Sequence, residues 1–379
     1  MDLLIKNCRI ISPEVDVECG AVAVEGGKVV KVFEQCVDLP QAKQVVDAQG
    51  KMVVPGFIDL HFHGAGGHDV CDGSAEGIKV IAEMKMAEGC TTMCPTTLTL
   101  SEEQLSGAMQ AVAEYKKDEQ FAKVAGVHLE GPFVNQAAAG AQNPDFIRLP
   151  NIEEVKRLNS ISKVSIISYA PEMEGGVTFT SQLKEVGVVP SAGHSKATYS
   201  EIKSALDAGL KNLTHFCNQM TPLHHREIGM VGAGLMEDGL TIEVIADKIH
   251  LREDMLRFIF AKKNIEGIAV ITDALAVTGL PDGDYELGGL PIYLADGAAR
   301  LKDGDNLAGS TLRMNMALKN IQEVTGLPLK DIIQTTSYNQ ARSLGFTDLG
   351  KVEEGFVADL VILNSDYTVD TVVIDGQVK

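Results

Sequence analysis

Val53-Val54-Pro55-Gly56-Phe57-Ile58-Asp59-Leu60-His61-Phe62-His63-Gly64 is an apolar run that ends in two histidines one residue apart. On an extended strand, residues i and i+2 share a face, so both imidazoles can turn toward one metal ion. Imidazole nitrogen suits zinc, iron and other first-row divalent metals. His-x-His alone is a weak signal. Its weight comes from the setting: a buried-strand pattern that opens after Pro-Gly, with more candidate ligands at the ends of later runs.

Downstream, seven further apolar runs alternate with amphipathic stretches: 91–95, 124–129, 164–169, 188–192, 212–214, 242–246 and 267–271. Ser101-Glu102-Glu103-Gln104 and Thr198-Tyr199-Ser200-Glu201 both match a helix-opening capping box. Near-continuous apolar strands alternating with helices imply a parallel sheet covered by helices. Eight such units predict a (β/α)8 TIM-like barrel over residues 53–349. A doubly wound open sheet is the second choice, lowered because no Gly-x-Gly-x-x-Gly follows the first strand. Residues 1–52 read as short strands, with a hairpin signal at Gly26-Gly27. Residues 350–379 read alike, and the two flanks predict one small β-sandwich domain built from both termini.

A net charge of −19 without a Lys/Arg-rich run argues against nucleic acid or an anionic membrane as partner. No signal-peptide pattern opens the chain and no apolar run is long enough to span a bilayer. Seven scattered cysteines fit a reducing cytoplasm, the expected location. Cys90 and Cys94 read as buried thiols, and the Asn212-Leu213-Thr214 sequon is discarded because it falls on a buried strand.

Polar residues cluster at the ends of the runs. His61 and His63 close the first, His128 and Glu130 the third, and His194 follows the fifth. His215 closes the sixth, His250 follows the seventh and Asp273 closes the eighth. In a barrel every strand's C-terminal end opens on the face that carries active sites. His61, His63, Glu130, His194 and His215 offer nitrogen and carboxylate without thiolate, a mixture that favours an open catalytic site. With Asp273 they exceed one tetrahedral ion, so two metals bridged by Glu130 are expected. A bound metal lowers the pKa of water; Asp273 can take that proton and return it to a leaving group, and His250 can stabilise an oxyanion. His128 stands evenly between packing and support of the ligands. Arg226, in a donor-rich loop, offers a fork suited to phosphate, or else pairs with Glu227 in solvent.

These residues resemble the N-acetylglucosamine-6-phosphate deacetylase family of the amidohydrolase superfamily. The likeness runs the length of the chain. It rests on Pro55-Gly56-Phe57-Ile58-Asp59, His128-Leu129-Glu130-Gly131-Pro132-Phe133, Gly193-His194-Ser195, Thr214-His215-Phe216-Cys217-Asn218, His224-His225-Arg226-Glu227 and Thr272-Asp273-Ala274. The resemblance implies a barrel of the metal-dependent hydrolase type that removes acetate from a 2-acetamido sugar 6-phosphate, with one or two divalent metals per chain, zinc or iron. It implies that Glu130, His194 and His215 hold the principal metal, that Asp273 is general base and acid, and that His250 contacts substrate. Asn218, Gln219 and Arg226 match phosphate-binding positions, the arginine reaching over from the partner of a homodimer, and Leu307-Ala308-Gly309-Ser310 matches a substrate-lining loop. Keeping His61 and His63 places the chain with forms able to hold two metals.

Three departures bear on the sugar and the loops. Gln142 stands where some members have a sugar-contacting histidine, Lys248 where glycine is usual, and Ile228 where proline often follows Arg-Glu. N-acetylgalactosamine 6-phosphate is the rival substrate. Another amidohydrolase-superfamily amide hydrolase and a non-catalytic binding protein on this fold are the rival classes.

Overall fold

The computed structural model describes residues 1–304 and 306–379. Leu3–Ser12, Val15–Glu25, Lys28–Phe33, Gln44–Asp47, Met52–Pro55, Leu360–Leu363, Val369–Ile374 and Gln377–Val378 form one eight-stranded sheet. It curls over a core that includes Leu3, Ile5, Val22, Val24, Val53, Leu360 and Ile362. The opening apolar run is therefore divided, where a single strand was expected. Val53 and Val54 pair with Ile362 and Val361 of this sheet, and the barrel begins only at Phe57. The division falls at Gly56, where an added Cβ would lie 2.3 Å from the Thr91 hydroxyl; the crossing between sheets leaves no room for a side chain.

The barrel strands are β1 (Phe57–Phe62), β2 (Cys90–Thr97), β3 (Val127–Glu130), β4 (Val164–Tyr169), β5 (Val189–Ala192), β6 (Asn212–Leu213), β7 (Thr241–Ile245) and β8 (Ile268–Ile271). Each pairs in parallel with the next. Val124, expected at the start of the third strand, instead joins Lys123 in a separate short pairing with β2. Helices cover the barrel: α1 (Ala75–Ala87), α2 (Glu102–Tyr115), α3 (Ile152–Ile161), α4 (Gly176–Glu185), α5 (Tyr199–Ala208), α6 (Gly229–Met236), α7 (Glu253–Lys262) and α8 (Met314–Thr325). Both capping boxes form, Ser101 with Gln104 and Thr198 with Glu201. Between β8 and α8 the chain inserts a three-stranded antiparallel sheet, Gly283–Leu287, Leu290–Ala295 and Ala298–Leu301, which the sequence reading did not separate from the barrel. Among the described residues no helix is long and apolar enough to cross a membrane. Cys90 and Cys94 are buried, as is Asn212.

The seam between β8 and β1 is tied by side chains as well as backbone. The Asp59 carboxylate accepts the Thr272 amide at 3.3 Å and its hydroxyl at 2.6 Å, and the Asp273 amide donates to the His61 carbonyl at 2.8 Å. Behind them lies Lys85 of α1, fully buried, 2.8 Å from Asp59 and 3.0 Å from Glu88. Burial alone would strip its proton, but Asp59 and Glu88 outweigh burial and hold the ammonium protonated. Lys85→Met leaves two buried carboxylates without their cation. We expect it to cost about 3–5 kcal/mol of unfolding free energy in chemical denaturation, the range for breaking a buried ion pair from one side. A loss under about 1 kcal/mol, the scale of an exposed pair, would show that the seam does not depend on this lysine.

Candidate active site and metal centre

The proposed ligands meet at the C-terminal mouth of the barrel. His61 lies within β1 and His63 just beyond it, and Glu130 is the last residue of β3. His194, His215 and Asp273 each stand two residues past the end of β5, β6 and β8. All three have positive φ, 46°, 29° and 53°, a conformation that side chains avoid unless the surroundings impose it. This backbone turn redirects each side chain from the strand into the mouth.

Two ligand groups result, His61–His63–Asp273 and Glu130–His194–His215, all buried. Glu130 joins them. Its Oε1 lies 3.0 Å from His215 Nε2, 3.2 Å from His194 Nε2 and 3.4 Å from His61 Nε2, while Oε2 lies 3.2 Å from His63 Nε2. Asp273 Oδ1 is 3.3 Å from His63 Nε2 and 3.5 Å from His61 Nε2. Two observations fit this donor set to divalent metal. The buried His61 Nε2 has no hydrogen-bond partner among the described residues. His194 Nε2 and His215 Nε2 face each other at 3.0 Å, so two ring nitrogens and a carboxylate oxygen converge where a cation satisfies all three.

Burial would push the Glu130 carboxyl up, but His61 and His194 hold it well below the usual range. Asp273 follows the same balance, with burial opposed by His61 and His63, and it too ends lowered. Burial would keep His63 neutral; Asp273 and Glu130 outweigh it and raise the imidazole to about 9. A raised folded-state pKa stabilises the metal-free protein below the ordinary histidine value near 6.5, and that contribution is lost as pH rises through about 9. We expect the chelated protein's melting temperature to fall across this window. The loaded protein should fall less, because the ion takes the protons' place. Calorimetry of both forms tests this, and parallel curves would refute it.

The substrate-side residues divide. A cavity of about 250 Å³ is lined by Gln142, Asn218, Gln219, His250, Leu307 and Gly309, together with His63, Glu130, His194, His215 and Asp273. Ala308 does not line it: the residue is fully buried and its amide donates to the Ala299 carbonyl. Gly309 has φ 52°, and a Cβ there would lie 2.8 Å from the Asp273 carbonyl, so this loop can sit against β8 only as glycine. Gln142 lines the cavity and also engages Glu130. Its Oε1 accepts the Thr99 amide at 2.7 Å, which orients its NH2 onto Glu130 Oε2 at 2.5 Å. Its amide steadies the shared carboxylate and leaves one N–H for a ligand. The Asn218 NH2 is turned to the His215 and Phe216 carbonyls, so this side chain meets the cavity as an acceptor. Arg226 does not line the cavity; its Nη1 lies 2.7 Å from His225 Nε2 on an exposed turn. It is not paired with Glu227, whose carboxylate accepts the Tyr199 and Gly229 amides.

His250 is held by Asp247, whose Oδ2 lies 2.7 Å from Nδ1, leaving Nε2 for the cavity. Burial works against its proton, but Asp247 outweighs it and raises the pKa. Between them Lys248 adopts φ 66°, which accounts for the usual glycine there. His128 is not a ligand. Its Nδ1–H donates to the Leu60 carbonyl at 2.9 Å and its Nε2 meets the Ser168 hydroxyl at 2.7 Å. Burial and His61 keep it neutral. The sequence reading passed over Glu243, a fully buried carboxylate within β7 whose Oε2 is 3.1 Å from His61 Nδ1. Its signal was a lone acid inside the apolar Ile242-Glu243-Val244-Ile245.

Comparison with known proteins accords with this geometry. The amidohydrolase family matches over residues 52–379. The N-acetylglucosamine-6-phosphate deacetylase of Lysinibacillus sphaericus is 34% identical over 382 residues, covering 100% of this chain and 98% of that protein. The N-acetylgalactosamine-6-phosphate deacetylase of Escherichia coli O157:H7 is 35% identical over 342 residues, covering 89% and 90%. Among solved structures, a mutant N-acetyl-D-glucosamine-6-phosphate deacetylase from Mycobacterium smegmatis, in complex with N-acetyl-D-glucosamine-6-phosphate, superposes with a TM-score of 0.92 at 30% identity, covering 99% of this chain and 98% of that one.

Proposed function

The chain belongs to the amidohydrolase family, and from that premise we propose that it hydrolyses N-acetylglucosamine 6-phosphate to glucosamine 6-phosphate and acetate. The observation that carries this reading is the meeting of Glu130 Oε1 with three imidazoles beside Asp273 and His250 in one cavity. A divalent ion there, zinc or iron, supplies Lewis acidity and makes water a stronger acid. Glu130, His194 and His215 would hold the first ion; His61, His63 and Asp273 would hold a second. The ionised Asp273 carboxylate accepts a proton from the attacking water. His250 Nε2 donates to the acetamide oxygen as negative charge grows there. Asp273 then returns the proton to the departing amine nitrogen. A phosphorylated, charged sugar does not cross a membrane unaided, and on that ground we propose a cytoplasmic enzyme.

The 35% identity to the galactosamine enzyme supports N-acetylgalactosamine 6-phosphate as a second reading. Acetate release from both sugar phosphates, on enzyme loaded with one defined metal, separates them. The higher kcat/KM identifies the substrate, and no acetate from either would overturn the function.

Arg226 lies outside its own chain's cavity, and we place it on the substrate phosphate of the partner in a homodimer. Arg226→Ala should lower kcat/KM by about 30- to 1000-fold, or roughly 2–4 kcal/mol, with little loss on substrate lacking the phosphate. Mixing inactive Asp273 and Arg226 variants should restore activity through hybrid dimers. Equal losses on both substrates would make the arginine structural.

A further inference from the structure

We propose that Glu243 is the positioning residue for His61, and that filling of the second ion site depends on it. The proposal rests on the two-ion reading above and adds to it a residue outside the ligand set.

Glu243 lies within β7, fully buried in the barrel interior beneath the mouth. Its Oε2 is 3.1 Å from His61 Nδ1 and 3.3 Å from the His215 amide. A carboxylate only accepts, and a neutral imidazole carries one N–H. The proton of His61 is therefore drawn to Nδ1, and the Nε2 lone pair is left facing Glu130 Oε1 and Asp273 Oδ1. The other tautomer would aim an N–H where a cation must sit.

His63 and His194 are also oriented through Nδ1, but by neutral backbone carbonyls, Thr96 at 3.2 Å and Ala138 at 2.9 Å. His61 alone among these three rests on a carboxylate, which makes its free nitrogen a better donor. The same oxygen also receives the His215 backbone amide, a contact that a glutamine oxygen can keep. The other face of His61 offers no substitute. His128, with ring centroids 4.6 Å away, has both nitrogens engaged elsewhere.

The test titrates metal-free protein with Co(II) by equilibrium dialysis, which gives the number of ions and a dissociation constant for each. E243Q keeps the shape and removes the obligate acceptor. It should weaken the weaker site about 10- to 100-fold, the range for losing an outer partner of a ligating histidine, and leave the tighter site little changed. In an H61A background the same substitution should add nothing further. E243D, which keeps the charge, should recover part of the loss, and E243M, which removes charge and acceptor at similar length, is read by the same criteria if E243Q does not fold. Two ions with wild-type affinities in E243Q, or a comparable loss at the one remaining site when His61 is already removed, would overturn the role of Glu243 and leave the two-ion reading standing. A single ion in the wild-type protein would sink that reading and this proposal with it.

Discussion

Asp273→Asn should yield a folded protein that binds N-acetylglucosamine 6-phosphate but turns it over about 10²–10⁴-fold more slowly, the usual range for losing a general acid–base. The carboxylate stands at the mouth, 3.3 Å from His63 Nε2, and its amide is fixed on the His61 carbonyl at 2.8 Å. An asparagine there keeps the backbone contact and the side-chain shape. It cannot take a proton from water. The departing amine is far too basic to leave as an anion, so the proton that Asp273 carries is needed twice, first removed and then delivered. Retained histidines keep the Glu130–His194–His215 group intact, so at least one ion should remain. Near-normal turnover with unchanged metal content would reduce Asp273 to a strand-end cap.

Glu130→Ala should be more damaging still. Activity should drop beyond about 10⁴-fold, because the ion that makes water a usable acid goes with the carboxylate. Among the described residues, Glu130 is the one carboxylate within 3.5 Å of all four ligand imidazoles. Its removal leaves the His194 and His215 ring nitrogens without their carboxylate partner, while His61 and His63 keep only Asp273. It also frees the Gln142 amide, whose NH2 then has no acceptor at 2.5 Å. Elemental analysis of the purified variant should find metal lost from both groups, whereas His61→Ala should lose mainly the second ion. Full wild-type activity after exhaustive chelation would refute a metal role altogether.

The barrel was legible because each strand is a near-continuous apolar run, and the ligands were legible because they stand at the ends of those runs. Legibility failed where meaning lies in a neighbour far along the chain. Nothing local marks Gly56 as a crossing between two sheets until Thr91 is seen against it. Glu243 reads as one acid in an apolar strand; only the fold brings it to His61, 182 residues away. Gln142 looked like a sugar contact by position, and only the Thr99 amide reveals which end of its side chain faces Glu130. The positive φ of His194, His215 and Asp273 has no signature in residue type. Lys248 was the exception, a departure from glycine whose strain the structure then located at φ 66°.

The small sheet sets a clock on biosynthesis. Met52–Pro55 pairs on one side with Arg9 and Ile10, made before it, and on the other with Leu360–Leu363, made long after it. A ribosome adding about 5–20 residues per second needs roughly 15–60 s to travel from one partner to the other. Through that interval Val53 and Val54 present an apolar strand edge with no neighbour, the kind of surface that recruits chaperones or other nascent chains. The barrel can condense meanwhile, and the sheet closes last. Leu360–Leu363 therefore zips onto Met52–Pro55, the segment that leads through Gly56 into His61 and His63, and the first half of the metal site is fastened by residues made after the barrel.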